Sequence, residues 1–147
     1  MIEVYSDRNS QEEKAARRLK ELIEEDLAHR KGKEHVRGLL LPSFQCFGQP
    51  RRDIDIVLVL DDRNEKPVFW SEKGERAFRN LCLTIEVKIH GAGDVIFEGN
   101  KCFVKRHKDT ENVTMQSDQQ VWSLHNYLRR ASDDRCSPFV ENLIWLI

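Results

Sequence analysis

Asp53-Ile54-Asp55-Ile56-Val57-Leu58-Val59-Leu60 is the stretch on which the reading of the fold turns. Rich in Val, Ile and Leu, it predicts a strand over Asp53–Leu60. Side chains alternate along a strand, which puts Asp53 and Asp55 on one side and Ile54, Ile56 and Leu58 on the other. Downstream, Leu81–Ile89 predicts a second strand, in which Glu86 and Lys88 share a side opposite Ile85, Val87 and Ile89. Both belong in the middle of a sheet, yet both carry charge. A central strand is expected to be apolar on both faces, and a buried charge without a partner is costly. A hard cation such as Mg2+ between Asp55 and Glu86 would satisfy both carboxylates, with a backbone carbonyl as a further oxygen. Lys88 would then meet a phosphate oxygen or an attacking water. Glu-x-Lys in a strand is common, and most instances are solvated ion pairs. The order of elements around it is what gives this one weight.

Working outward, Ser10-Gln11-Glu12-Glu13 reads as a capping box: the Ser10 hydroxyl accepts from the Glu13 amide while the Glu13 side chain reaches back. A helix follows to about His29, with Ala15, Ala16, Leu19, Leu22, Ile23 and Leu27 at helical spacing. Arg37–Phe44 reads as a strand, and residues 61–80 as a charged excursion with a short helix near Glu72–Asn80. Asp94–Phe97 and Cys102–Lys105 pair as a hairpin across Gly99-Asn100. A second long helix starts after Asn112 and runs to about Arg130, with Met115, Val121, Leu124 and Leu128 partly facing the core. Pro138 breaks the chain before a last strand, Leu143–Ile147. Helix, strands, helix, strand predicts an α/β sandwich around a mixed sheet of four or five strands.

The chain has 147 residues, enough for one domain with one core. With 33% charged and 39% apolar residues and a net charge of −1, it reads as a globular protein with no global basic field. No apolar run approaches bilayer length, and the first 15 residues are too polar for a secretory signal. Cys46, Cys82, Cys102 and Cys136 show no zinc-site spacing and read as reduced cytoplasmic thiols. The apolar end, Asn142-Leu143-Ile144-Trp145-Leu146-Ile147, suggests the N-terminal part of a longer protein.

The motifs resemble those of the PD-(D/E)XK nuclease superfamily, and within it the nuclease-related domain (NERD) family, over nearly the whole chain. Asp53-Ile54-Asp55 matches the family's acidic-hydrophobic-Asp motif, and Ile85-Glu86-Val87-Lys88 its Glu-x-Lys strand. Asn112-Val113-Thr114-Met115-Gln116 matches an asparagine followed four residues later by a glutamine, with Val113 where the family usually has proline. Glu12, ahead of Ala15, Ala16 and Leu19, matches the glutamate of the first helix. The 61–80 excursion is longer than the hairpin expected there, and Phe97 and Phe103 stand where the family has a tryptophan.

The resemblance implies a restriction-endonuclease-like sandwich and a Mg2+- or Mn2+-dependent nuclease, with DNA the expected substrate ahead of RNA. Asp55, Glu86, Glu12 and the Val87 carbonyl would hold metal, while Lys88 and Gln116 would assist the reaction. It also implies the nuclease module of a helicase-like or defence protein. Cutting both strands would call for two sites, hence a homodimer. The alternative is a non-catalytic nucleic-acid-binding or interaction module that kept the fold.

Gln120 lies one turn beyond Gln116 and has a lesser claim on the site; Gln119 is a rival on a neighbouring face, and Tyr127 reads as core. The run Lys101, Lys105, Arg106, His107 and Lys108, with Arg129 and Arg130, could meet phosphates or be solvated charge; Arg51 and Arg52 have the better claim, because they flank the Asp55 strand. His90 reads as a capped or solvated histidine. Trp70, Trp122 and Trp145 read as core or interface anchors.

Overall fold

A computed structural model describes residues 1–6, 10–29, 35–62, 68–71, 74–77, 80–88, 93–106, 109–135 and 138–147. A short strand, β1 (Ile2–Val4), precedes the first helix, α1 (Gln11–Ala28). The Ser10 hydroxyl accepts from the Glu13 amide at 3.1 Å, as the cap requires. The other half of the box is not made: the Glu13 carboxylate accepts instead from the Ser6 hydroxyl and from Arg17. Ala15 and Ala16 are buried, and Leu19, Ile23 and Leu27 continue the same stripe.

The main sheet continues with β2 (Val36–Gln45), β3 (Asp53–Asp62), β6 (Asn80–Lys88) and β10 (Val140–Leu146), in the order β1-β2-β3-β6-β10. β1 runs parallel to β2, β2 and β6 antiparallel to β3, and β10 parallel to β6. Parallel neighbours need a crossover, and the two long helices supply them on opposite faces. α1 packs on β1, β2 and β3; α2 (Val113–Ala131) packs on β6 and β10. Helix, sheet and helix thus form three layers around a mixed five-stranded sheet, as the sequence predicts. Pro42, which has no N–H to donate, lies in β2 past Leu40, where pairing with β1 ends.

Each face has its own core. Ile2, Leu40, Ile56, Leu58 and Ile85 pack under α1, with Trp145 against them. Cys46, Ile54, Val57, Cys82 and Leu124 pack on the α2 side, with Tyr127 set edge-on to Phe44. Ile54 therefore does not share a side with Ile56 and Leu58: it packs with Val57 in the α2-side core, and Ser43, the β2 residue between Ile54's partner Phe44 and Ile56's partner Pro42, has φ 52.

A second sheet is formed by β7 (Val95–Glu98), β8 (Lys101–Arg106) and β9 (Asp109–Asn112). The predicted hairpin is present, closed by Gly99 at φ +61. β9 and β1 are not foreseen by the sequence, being too short to show a period. The short helix expected near Glu72–Asn80 is not formed. β4 (Val68–Ser71) and β5 (Gly74–Ala77) pair antiparallel instead, and Asn80 begins β6. A helix of that length is marginal in water without packing, and Val68-Phe69-Trp70 favours a strand. Among the described residues, no helix is long and apolar enough to cross a membrane.

Candidate metal site on the central strands

The ladder between β3 and β6 ends at Ile56 and Ile85, so the next step outward sets Asp55 opposite Glu86. At that step a side chain replaces the backbone as acceptor: Asp55 Oδ2 takes the Val87 amide hydrogen at 2.8 Å. That bond aims the carboxylate across the strand, and nothing among the described residues hydrogen-bonds Oδ1. Burial, and next the charge of Glu86, push the Asp55 carboxyl up to about 6; the Val87 N–H and Lys88 oppose them, and Glu12 adds to the rise. Negative charge is therefore in excess around Asp55.

Glu86 is fully buried and Lys88 nearly so. The Lys88 ammonium lies 2.5 Å from Glu86 Oε1, yet Oε1 takes no hydrogen bond. The charges touch, but not along a hydrogen-bonding direction. Directed bonds from Lys88 go elsewhere, to Glu111 Oε1 at 3.0 Å and Gln116 Oε1 at 3.3 Å. The second Glu86 oxygen, Oε2, accepts from the amide of Gln120, which also donates to the Asp53 carbonyl at 3.3 Å.

Local structure explains the placement of these partners. Asn112 caps α2 by accepting from the Met115 amide at 3.0 Å. From that start, Gln116, Ser117, Gln120, Ser123 and Leu124 fall on one face, the spacing of adjacent turns. Gln120 is fully buried beneath the sheet, whereas Met115 is exposed, against the expectation that it faces the core. Gln116 accepts from Lys88, and Gln120 rather than Gln116 holds Glu86. The signal for Gln120 was present as the four-residue repeat. Glu111, in a stretch of charged and polar residues, gave none.

Glu12 stands at the margin: the Ser43 hydroxyl donates to its Oε2 at 3.4 Å, and its charge bears on Asp55. Among the described residues, no three His, Cys, Asp or Glu side chains stand close enough to share a metal ion. Glu12 therefore does not converge with Asp55 and Glu86 here. Val87 contributes its N–H to orienting Asp55, a role the sequence did not suggest.

The basic residues separate. Arg52 is exposed, with its guanidinium 5.9 Å from the Phe47 ring centroid, and Arg51 is half-buried. Lys101 and Lys105 are exposed; Arg106 pairs with Glu111 at 3.4 Å and Arg129 with Asp134 at 2.7 Å. Trp122 is exposed, lying edge-on to His125, so it is not core. Ile89, His90, His107, Lys108 and Cys136 lie outside the described residues, as does the Trp70 side chain.

Replacing Gln120 by leucine removes the donor shared by Glu86 Oε2 and the Asp53 carbonyl. Leaving a buried carboxylate oxygen unsatisfied is expected to cost about 2–3 kcal/mol, read as a lower urea midpoint at unchanged slope. A loss below about 0.5 kcal/mol would show that the amide contributes nothing there.

Searches of family models, of curated proteins and of solved structures each found nothing that matches this chain. Its own donor set is consequently the basis for asking whether a metal fits. Asp55 Oδ1 and Glu86 Oε1 are hard oxygens on facing strand positions, neither taking a hydrogen bond among the described residues, with the Lys88 ammonium 2.5 Å from Glu86 Oε1 as the cation against them. Such a pair fits a divalent cation that keeps most of its waters.

Proposed function

We propose that this protein is a metal-dependent nuclease that hydrolyses phosphodiester bonds of DNA on a restriction-endonuclease-like fold. The observation that carries the reading is the Asp55 carboxyl, pushed up to about 6 beside buried Glu86, with Lys88 reaching both Glu86 and Gln116. Structural ion pairs in a core are normally balanced, whereas this group has more carboxylates than cations. The sequence order of the glutamate helix, the Asp55 strand, the Glu86–Lys88 strand and the asparagine-capped helix supports it as well.

Asp55 and Glu86 would bind Mg2+ or Mn2+, with the Val87 carbonyl as a further oxygen and Glu12 acting by its charge. The ion, when bound, lowers the pKa of a bound water and offsets charge developing on phosphorus. Lys88 presents an ammonium to the scissile phosphate, where a preorganised donor stabilises the transition state most. Gln116 orients that ammonium. Arg51 and Arg52, two residues ahead of β3, could hold the flanking phosphates, giving an affinity that weakens with salt. The buried free thiols of Cys46, Cys82 and Cys102 suit a reducing cytoplasm. A role as the nuclease module of a helicase-like or defence protein, and a homodimer for two-strand cutting, belong to the same reading.

The test is cleavage of single- and double-stranded DNA with Mg2+, Mn2+ or EDTA. Cutting that needs the metal, and that falls by at least about 10²–10³-fold in both Asp55→Ala and Lys88→Ala, is the expected result. Cutting at full rate in both variants would refute the site. A binding module would instead hold DNA in a salt-sensitive way and never cut it.

A further inference from the structure

Lys88 sits where a metal has to enter. Its ammonium covers Glu86 Oε1 at 2.5 Å, and the other Glu86 oxygen is already held by Gln120. A divalent cation and an ammonium cannot share one carboxylate oxygen at close range, since two like charges would then face each other in a poorly solvated pocket. Lys88 must therefore have a second place to go. That place is already occupied by its hydrogen bonds, which run to Glu111 at 3.0 Å and Gln116 at 3.3 Å and not to Glu86 Oε1.

We infer that Glu111 is a positioning residue that receives the Lys88 ammonium when a divalent cation takes Glu86. This deepens the metal-site reading and rests on it. Glu111 lies at the end of β9, next to the Asn112 that caps α2, so the same short strand sets both the acceptor and the helix carrying Gln116. It is part-exposed and also pairs with Arg106 at 3.4 Å. Its carboxylate is thus fixed between a surface guanidinium and the buried ammonium, and its Oε1 stays on Lys88. The hand-over moves one side-chain cation by a short reach and creates no unpaired buried charge. Lys88 then remains beside the metal as a charged group rather than competing with it.

The experiment is Mn2+ binding to the full chain without DNA, followed by the loss of the free Mn2+ electron paramagnetic resonance signal. Glu111→Gln should weaken binding about tenfold, the loss of one charge-assisted hydrogen bond, because Lys88 then leans on Glu86 alone. Glu111→Asp keeps the charge but withdraws it from Lys88, and should weaken binding similarly. In a Lys88→Met background, Mn2+ should bind more tightly than to wild type, and adding Glu111→Gln should change nothing further. If Glu111→Asp binds like wild type, or the Glu111→Gln effect persists in full without Lys88, Glu111 acts only through its distant charge and the hand-over is overturned. Should Lys88→Met fail to fold, the two Glu111 variants decide alone, their folding checked by melting temperature. Wild-type protein that binds no Mn2+ overturns the metal site itself; bound Mn2+ with indifferent Glu111 variants overturns only the hand-over.

Discussion

Asp55→Asn is expected to abolish metal-dependent cleavage and, at the same time, to raise the melting temperature of the metal-free protein at pH 8. The sign follows from the raised carboxyl. Asp55 ionises near 6 in the folded chain against an ordinary 3.8, so the folded state holds this proton more tightly than the unfolded state. Stability tied to Asp55 is then fully present below about pH 4 and lost as pH rises through about 6. At full strength the difference is worth about 3 kcal/mol, at ~1.4 kcal/mol per pH unit. Asp55 is only half-buried, and solvent screening brings the expected gain in the asparagine variant to about 1–2 kcal/mol at pH 8. Thermal melts at pH 8 and pH 4 check it: a rise of roughly 3–6 °C at the higher pH should shrink to nothing at the lower one. The asparagine oxygen can still accept from the Val87 amide, so the backbone need not move. Equal or lower stability at pH 8 would mean that Asp55 is a structural carboxylate. A site that is more stable without its own acid is the mark of a residue kept for function.

Lys88→Met should have the larger effect on stability, and in the opposite direction. Methionine fills a similar volume but leaves Glu86, which is fully buried, without a counter-charge. Breaking a buried pair from one side typically costs about 3–5 kcal/mol, a drop of roughly 10 °C in melting temperature for a chain of this size. Divalent cations should then restore much of the loss. Mn2+ at about a hundredfold excess over its dissociation constant would return ~2.7 kcal/mol, and wild type should gain less because its lysine must first leave Glu86. Melts with and without Mn2+ distinguish the readings. A variant that is barely destabilised and indifferent to Mn2+ would show that Glu86 and Lys88 form neither a tight pair nor a metal site.

These expectations concern residues whose visibility in the sequence differs for physical reasons. Asp55, Glu86 and Lys88 stand out because charge inside a Val- and Ile-rich strand is anomalous, and no structure is needed to notice it. Gln120 shows only through its spacing of one helical turn from Gln116, and Glu111 not at all, because a glutamine on a polar helix and a glutamate in a charged stretch look like ordinary surface. Burial of Gln120 against Glu86 depends on how α2 docks on β6, which no local pattern encodes.

The same division runs through the fold. The amino-acid sequence by itself determined the two central strands, both helix starts and the Gly99 hairpin, since each rests on a pattern or a cap spanning a few neighbouring residues. It also determined that the central strands carry a charged group in need of partners. Tertiary structure decided the rest. The pairing of β1 with β2 and of β8 with β9 recruits segments too short to have a period of their own. Packing places Ile54 in the α2-side core, and the end of the β3–β6 ladder delivers the Val87 amide to Asp55. Contacts of that kind are fixed by register and docking between separate segments, where energies of packing and hydrogen bonding, not local propensity, select the partner.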